Sequence, residues 1–220
     1  MKISSEQPTE SVNFVFYGER PCLDFANTLR RRRDPLHPTV DLLGPTKSLT
    51  SWIDTGRSKA SWAKDLPGLQ MNTDEINALH IGELRDAIIL LAEHKLEDSE
   101  NTSTKSLITA VDTLNKWSAK APQYFLSMKD DCEGFLLRPT LTPEQILGFV
   151  AQDAIIFFGT ESSKRLKTCS HERCGILFED RSNGMKRQWC SMKECGNRMK
   201  ARRYTQKVAT SLDSQQRENQ

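Results

Sequence analysis

Long hydrophobic runs are missing from this sequence. Of its 220 residues, 37% are hydrophobic and 27% are charged, but the apolar stretches are short, such as residues 87–92, whereas a membrane-spanning helix needs roughly 20 apolar residues. The composition therefore excludes insertion into a membrane as a helix and predicts a soluble globular protein with a buried core. Residues 1–8 lack the apolar segment of a secretory signal, so we expect a reducing, cytoplasmic environment.

Motifs of the common enzyme classes are missing as well. The sequence has no Gly-rich phosphate loop, no Gly-x-Ser-x-Gly nucleophile elbow and no His-rich metal cluster, and it contains only four histidines. Cys22 and Cys132 have no obvious basic partner in the sequence, so we expect each to be a core or surface thiol rather than a nucleophile. We therefore predict that the protein is not an enzyme.

The formal net charge of +2 conceals a segregation of charge along the chain. Residues 164–207 contain 13 Lys and Arg against four Asp and Glu, which gives this segment +9 and leaves −7 for the rest. Such an asymmetry is typical of a basic module that faces a polyanion and is attached to an acidic body. A solvated basic surface would show the same charges, and composition alone leaves both interpretations open.

The spacing of apolar residues predicts an α+β fold in two domains. The first, residues 1–163, is mainly helical with a small antiparallel β element, and a hinge over 161–164 leads to the second, residues 164–220, whose tail frays. The elements predicted in the first domain are a strand over 13–18, helices over 21–29, 48–54, 72–96, 104–119 and 142–158, and a hairpin of 124–128 with 135–138. Residues 30–33 are expected to continue the last turn of the first helix.

Two of these helices have capping boxes at their starts. Asn72 is followed three residues later by Glu75, and Thr142 by Gln145, so that each pair can satisfy backbone donors reciprocally. Pro143 suits the first position of its helix, where no hydrogen bond is lost.

The strongest signal is the pattern Cys169-x4-Cys174-x15-Cys190-x4-Cys195. Two pairs of thiols separated by enough chain for a hairpin can place four sulfurs tetrahedrally around one Zn²⁺, about 2.3 Å from each. Four thiolates leave no open coordination position, so the predicted site is structural. Since a unit of about 45 residues has little core of its own, the metal should supply much of its folding free energy. His171 lies within the first pair, and we expect it at the surface or beside the ligands.

The residues around the cysteines predict a treble-clef-like zinc finger. Residues 175–178 are expected to form a strand, 182–184 a turn and 186–190 the return strand, and a helix should follow Cys195. Nucleases of this architecture use a histidine in or beside the hairpin as general base. Residues 176–190 contain no histidine, which argues against a nuclease.

Two motifs resemble a known family. Residues 187–192 followed by Cys195-Gly196-Asn197-Arg198 resemble the CGNR zinc finger, and residues 23–28, Leu-Asp-Phe-Ala-Asn-Thr, resemble the opening motif of the ABATE domain, which precedes that finger in bacterial proteins. The four cysteines match the finger's zinc ligands position by position. The resemblance implies a stress-induced bacterial transcription regulator whose N-terminal domain has an uncertain ligand.

The helix after Cys195 is the candidate nucleic-acid contact. Arg198 and Arg202 would stand one turn apart, while Ala201, Tyr204 and Val208 are expected to pack inward. Asn197 would either read adenine or cap the helix. A cationic ridge of this kind can neutralise phosphates and fit the major groove of DNA. The candidate residues are Lys186, Arg187, Asn197, Arg198, Lys200, Arg202, Arg203 and Lys207.

A second group of polar residues lies in the N-terminal motif. Arg20, Asp24, Asn27 and Thr28 are candidates for a pocket that binds a small polar effector. They could equally satisfy backbone groups at the start of the fold, and the same alternative holds for Asp153 within an apolar helix.

Two functions of different classes follow from these patterns. The first is a zinc-dependent, DNA-binding transcription regulator whose N-terminal domain senses a ligand or stress, with a homodimer and a small-molecule effector as further partners. The second is an adaptor whose finger binds a protein or RNA while the body serves as a dimerisation unit.

Overall fold

The computed structural model describes residues 13–44, 48–69, 78–97, 102–138 and 141–206. Its helices are α1 Pro21–Ala26, α2 Leu49–Lys59, α3 Ala78–Glu97, α4 Thr104–Ser118, α5 Pro143–Phe158 and α6 197–206. Three antiparallel pairs of strands are β1 Leu29–Arg30 with β2 Val40–Asp41, β3 Phe125–Met128 with β4 Phe135–Arg138, and β5 Leu166–Thr168 with β6 Leu177–Glu179. The predicted α+β class is confirmed. Within the described residues, no helix is long and apolar enough to cross a membrane.

Helix α5 forms the centre of the core. It packs against α1, α2, α3 and α4, and its residues Leu147, Val150 and Phe157 are fully buried. A Cβ atom at Gly148 would lie 2.4 Å from the backbone nitrogen of Ala121. Only glycine therefore allows α5 to approach the end of α4 so closely, and burial of this apolar helix supplies much of the hydrophobic stabilisation.

Capping explains where two of the predicted helices begin. Thr142 Oγ1 accepts a hydrogen bond from the Gln145 backbone N–H at 3.3 Å, and Gln145 Oε1 accepts one from the Thr142 N–H at 3.0 Å. Ser48 Oγ caps α2 by accepting from the Ser51 N–H at 3.1 Å. The box at Thr142 is confirmed, whereas Asn72 and Glu75 lie outside the described residues.

The strand predicted over 13–18 is wrong. The segment is irregular: side chains bind two of its carbonyl groups, and its last carbonyl, that of Gly18, accepts from the Glu179 N–H of β6 at 3.0 Å. Arg30 Nη1 donates to the Asn13 oxygen at 2.8 Å, and Arg187 Nη2 donates to the Tyr17 oxygen at 3.2 Å. The apolar residues predicted to stabilise a sheet instead anchor an irregular segment to the core.

The first helix is shorter than predicted. It ends at Ala26, and residues 30–33 do not continue it, because Arg30 pairs with Val40 in the first β pair. Arg31 then adopts a positive φ of 62°, which breaks any helical turn. Pairing between two distant strands thus overrides the local helical pattern.

The hairpin of β3 and β4 is confirmed. Its register pairs Leu126 with Leu137 and Met128 with Phe135. Neither strand makes an extensive contact with another described helix or strand. The hairpin therefore projects from the helical body.

The C-terminal module contains a different strand pair from the one predicted. β5 precedes the first cysteine and pairs with β6, with Lys167 opposite Phe178, so the return strand predicted over 186–190 is wrong. Residues 186–189 are irregular because side-chain contacts fix them: Asp180 Oδ2 accepts from the Arg187 N–H at 2.9 Å. An acidic side chain here replaces the ladder that a return strand would form.

The two parts of the chain share one core. Residues 161–164, predicted as a hinge, lie in the 3₁₀ turn Glu161–Arg165. Leu166 and Leu177 beyond it belong to the same apolar cluster as α1, α3 and α5. β6 also lies against α1. The domain boundary at 163/164 stays a prediction.

Candidate metal centre and nucleic-acid interface

The four predicted cysteines converge at one point. Their sulfur atoms all lie within 4.8 Å of one another, with Cys174 Sγ 3.6 Å from Cys190 Sγ and Cys190 Sγ 3.7 Å from Cys195 Sγ. A tetrahedron with Zn–S bonds of about 2.3 Å has edges of about 3.8 Å. The sulfur positions therefore fit one structural zinc ion.

The first pair of cysteines is held by a tight turn between β5 and β6. The Cys169 N–H donates to the Ile176 oxygen and the Cys174 N–H to the His171 oxygen, each at 2.9 Å. Gly175 follows with a positive φ of 67°, which a residue without a side chain adopts readily. The turn leaves both sulfurs pointing towards the second pair.

The second pair of cysteines is connected by a π-helical turn. Cys190 precedes the turn Met192–Gly196, and Cys195 lies within it. The Gly196 N–H donates to the Ser191 oxygen at 3.0 Å and closes the turn. The Cys190 N–H also donates to Cys169 Sγ at 3.4 Å, a contact that stabilises a thiolate.

The thiols behave as one cluster. Hydrogen bonds with the other three thiols, chiefly with Cys174, hold the pKa of Cys169 well below its ordinary value. Hydrogen bonds with the other three thiols, chiefly with Cys169, raise the pKa of Cys190. Among the described residues, the group that could hold a metal ion consists of the four cysteines. His171 is not part of it, and its Nδ1 accepts from the Arg173 N–H at 3.3 Å.

Helix α6 leaves the cage directly after Cys195 and is exposed to solvent. Along 197–206 only Met199 is half-buried. Ala201 is exposed and Tyr204 is 71% exposed, so the prediction that they pack inward is wrong: within the described part of the chain, no element covers that side. Val208 and Lys207 lie outside the described residues.

The cations of α6 occupy two flanks of the helix. At about 100° per residue, Arg198 and Arg202 are roughly 40° apart, while Lys200 and Arg203 lie together on the other side. All four are exposed, and Arg202 also pairs with Glu172 at 2.6 Å. Thus the structure places four of the predicted contacts on one projecting helix.

Asn197 lies at the start of α6. Its Nδ2 donates to the Lys193 oxygen at 3.2 Å, so it ties the helix to the preceding π-helical turn. It does not act as the accepting N-cap that was one of its two predicted roles, and its side chain is exposed.

Arg187, another predicted contact, binds groups of the protein itself. Its guanidinium donates to the carbonyl oxygens of Trp189 at 3.0 Å and Cys190 at 2.5 Å and to the Glu19 carboxylate at 2.9 Å. It also stacks 4.4 Å from the centre of the Phe178 ring. These contacts engage the guanidinium, whose side chain is 23% exposed, and its role in a nucleic-acid interface stays a prediction.

Lys186 remains at the surface, beside a groove of about 600 Å³. Trp189 and Met192 supply apolar walls to this groove, and Gln188 supplies a polar one. The groove and α6 belong to the same zinc-bound module.

Asp24 is buried within the N-terminal motif. Its Oδ1 accepts from the Gly18 N–H at 2.7 Å and its Oδ2 from Trp62 Nε1 at 2.8 Å. Burial raises the pKa of Asp24 to about 7, although the hydrogen bonds from Trp62 and Gly18 oppose the shift. Both oxygens thus have partners within the protein.

Asn27 connects the motif to the zinc-bound module. It is 1% exposed; its Nδ2 donates to the Leu177 oxygen at 2.8 Å, and its Oδ1 accepts from the Leu177 N–H at 2.9 Å. The neighbouring Thr28 donates to the Phe25 oxygen at 2.6 Å. The contacts of Asp24, Asn27 and Thr28 favour the structural role that the sequence left open over direct contact with an effector.

Arg20 differs from these three because it lines a cleft. The cleft has a volume of about 400 Å³, with Trp62 and Phe149 on the side of the helical body and Arg181 on the side of the finger. Arg20 Nη2 lies 2.5 Å from Asp153 Oδ1. Of the four predicted ligand-binding residues, the structure brings this one to an open cleft.

Sequence reasoning missed Asp180, which organises the loop after β6. Its carboxylate accepts from Lys167 Nζ at 2.7 Å, from the Ser182 N–H at 2.9 Å and from the Arg187 N–H. Burial alone would raise its pKa, but these donors, Lys167 foremost, hold the pKa below its ordinary value. An Asp two residues before a Ser in a predicted turn was the available signal.

A second omission is the ion pair of Asp34 with Arg173. Arg173 Nε lies 2.8 Å from Asp34 Oδ1 and Nη2 lies 3.0 Å from Oδ2, so the contact is bidentate and crosses from the N-terminal part to the first cysteine turn. The residues are 139 positions apart, and no local pattern marks such a pair.

Fold and site together define a class: a helical α+β protein that carries a tetrathiolate zinc finger built against its own core. Residues 165–207 match the model of the CGNR zinc finger, and residues 19–161 match that of ABATE, described as "Putative stress-induced transcription regulator". Because the second match spans more than half of the chain, the protein belongs to the ABATE family, and a CGNR zinc finger follows in the predicted order. No curated protein matches the chain significantly.

Proposed function

We propose that this protein is a zinc-dependent transcription regulator that binds DNA through α6. The observation that carries the proposal is the exposure of Arg198, Lys200, Arg202 and Arg203 on a helix that projects from the zinc cage. The family description supports regulation. As part of the same proposal, the protein acts in the cytoplasm and is not an enzyme.

The dimensions and charge of α6 suit a DNA major groove. A helix with its side chains is about 10–12 Å across, and the groove is about 12 Å wide with phosphates along both edges. Cations on two flanks of α6 would therefore meet both phosphate backbones. Neutralising these phosphates releases condensed counterions, which makes the binding salt-dependent.

The N-terminal domain would sense a small polar effector in the cleft beside Arg20. The cleft is lined by Trp62 and Phe149 of the helical body and by Arg181 of the finger. An occupant would contact both parts of the chain. It would therefore stabilise one arrangement of the helical body and the finger over another, which is how a ligand shifts a conformational equilibrium.

The decisive experiment is titration of labelled duplex DNA with the zinc-loaded full chain at two salt concentrations. We expect replacement of both Arg198 and Arg203 by Ala to lower the affinity and to reduce the slope of log K against log salt by about 2, since each phosphate contact contributes about 1. Lys59→Ala, an exposed cation on α2, is the matched control and should leave both unchanged.

Two outcomes would contradict this function: an affinity that is indifferent to salt and to zinc removal, or equal behaviour of the double variant and the control. The groove beside Trp189 favours a second candidate, an adaptor that binds RNA or protein. Selection of bound fragments from random duplex DNA separates the candidates, since a regulator enriches one motif and an adaptor does not.

A further inference from the structure

The projecting hairpin of β3 and β4 presents an apolar face to solvent. Leu126 and Met128 lie directly opposite Leu137 and Phe135 in the register, so all four share one side of the hairpin, and Tyr124 extends it by the same alternation. We call these five residues the hairpin face. Leu126 is 65% exposed and Phe135 66% exposed, and the other three are 45–59% exposed.

The opposite side of the hairpin is only partly covered: Ser127 and Leu136 there are half-buried. Phe125, which points to that side by alternation, is 60% exposed, and neither strand makes an extensive contact with another described helix or strand. A two-stranded hairpin alone in water is marginally stable at best. Large apolar side chains exposed side by side mark an interaction surface.

From these features we infer that the hairpin face is the dimer interface of this protein and that its occupant is the hairpin face of a second copy. Five side chains at these exposures present roughly 600 Å² per protomer. A two-fold pairing would therefore bury roughly 1,200 Å² in total, the lower limit of stable, specific interfaces.

The charges of the hairpin favour an antiparallel pairing with a second copy. The loop at its tip contains Asp130, Asp131 and Glu133 against Lys129, a net charge of −2. At the other end Arg138 terminates β4, and Lys120, whose Nζ lies 4.8 Å from the centre of the Trp117 ring, precedes β3 in the chain. In a two-fold antiparallel arrangement the acidic tip of one copy lies over the basic base of the other. A parallel arrangement would instead bring the two acidic tips together.

A dimer formed in this way does not depend on nucleic acid. It would, however, present two zinc fingers related by a two-fold axis, the arrangement with which dimeric regulators read paired half-sites. The test therefore measures association in the absence of DNA, and its failure would leave the proposed DNA binding standing.

The experiment is sedimentation velocity of the zinc-loaded full chain between about 1 and 100 μM. We expect the native protein to dimerise in this range and the variant with both Leu126→Lys and Phe135→Lys to stay monomeric. The matched control replaces two other exposed apolar residues, Leu36 and Ile156, by Lys and should dimerise normally. Circular dichroism of the variants verifies that the fold is retained.

A charge exchange tests the orientation. Glu133→Lys and Lys120→Glu should each weaken the dimer at least about tenfold, and the double exchange should restore it. A monomer at all concentrations, capture of another kind of partner by a monomeric protein, or an unchanged dimer in the double lysine variant would overturn the inference.

Discussion

The side chain of Asn27 makes the hydrogen bonds to β6 that a neighbouring strand would otherwise make. Its amide exchanges two hydrogen bonds with the backbone of Leu177 in β6, as an antiparallel neighbour would. The edge of β6 beside α1 is thereby satisfied at Leu177, and the Gly18 oxygen accepts from the Glu179 N–H at 3.0 Å. A motif that suggests an effector pocket in the sequence instead fixes the junction between the helical body and the zinc finger.

Asn27→Ala should therefore lower the free energy of unfolding by about 2 to 4 kcal/mol, because it leaves a buried N–H and a buried carbonyl without partners. Urea denaturation measures the change. Asn115→Ala removes an exposed amide from α4 and should stay within about 0.5 kcal/mol of the native protein. Equal stability of the two variants would show that the Leu177 contacts contribute nothing.

Asp24 gives the protein a pH dependence of a definite sign. Because burial raises its pKa in the folded state to about 7, the folded chain holds a proton that the unfolded chain has lost between about pH 4 and pH 7. The contribution of Asp24 to stability must fall as the pH rises through this window, by at most roughly 1.4 kcal/mol per pH unit. Above pH 7 it should be constant.

The measurement for Asp24 is the difference in unfolding free energy between the native protein and Asp24→Asn at pH 5 and pH 8. We expect the native protein to lose stability relative to the variant at the higher pH, since the amide does not titrate. Comparison with the same variant cancels the opposite contribution of carboxylates such as Asp180, whose pKa is lowered. A difference independent of pH would contradict the shift at Asp24.

At the scale of elements, the sequence predicts well what depends on neighbours in the chain. The start of α5 follows from Thr142 and Gln145, whose side chains act within one turn, and the β3–β4 hairpin follows from two alternating runs close together. The cysteine spacing likewise predicts the metal centre, because four thiols have few other uses in that pattern.

Elements whose partner their own pattern does not specify could not be predicted in this way. Residues 186–190 have the composition of a strand, but the partner of β6 is β5, and Asp180 holds the intervening chain. The strand prediction for 13–18 fails for the same reason, since the groups that bind its carbonyls come from the side chains of Arg30 and Arg187 and from the Glu179 N–H. Periodicity describes which side of a segment is buried and carries no information about what it pairs with.

At the scale of the whole molecule, the zinc finger and the helical body are joined through apolar and polar contacts together. Leu166 and Leu177 of the finger belong to the main core, and Arg32 Nη2 donates to the Gly175 oxygen at 2.9 Å beside the first cysteine turn. The metal that orders the finger thus also orders one wall of the core. Folding of the body should depend on metal binding to a site outside it.

We therefore predict that Cys190→Ser destabilises the entire chain and not the finger alone. Loss of one ligand weakens zinc binding, so β6 should no longer be held against Asn27 and α1, and the midpoint of the main unfolding transition should fall. In a Trp189→Phe background, the fluorescence of the remaining tryptophans, which lie in the helical body, and circular dichroism should follow the transition together, as in a single cooperative unit. Cys132→Ser, which removes an exposed thiol, should leave both the midpoint and the content of one zinc per chain unchanged. A separate early transition of the finger in Cys190→Ser, with the tryptophan signal of the body unaltered, would instead show that the two parts fold independently.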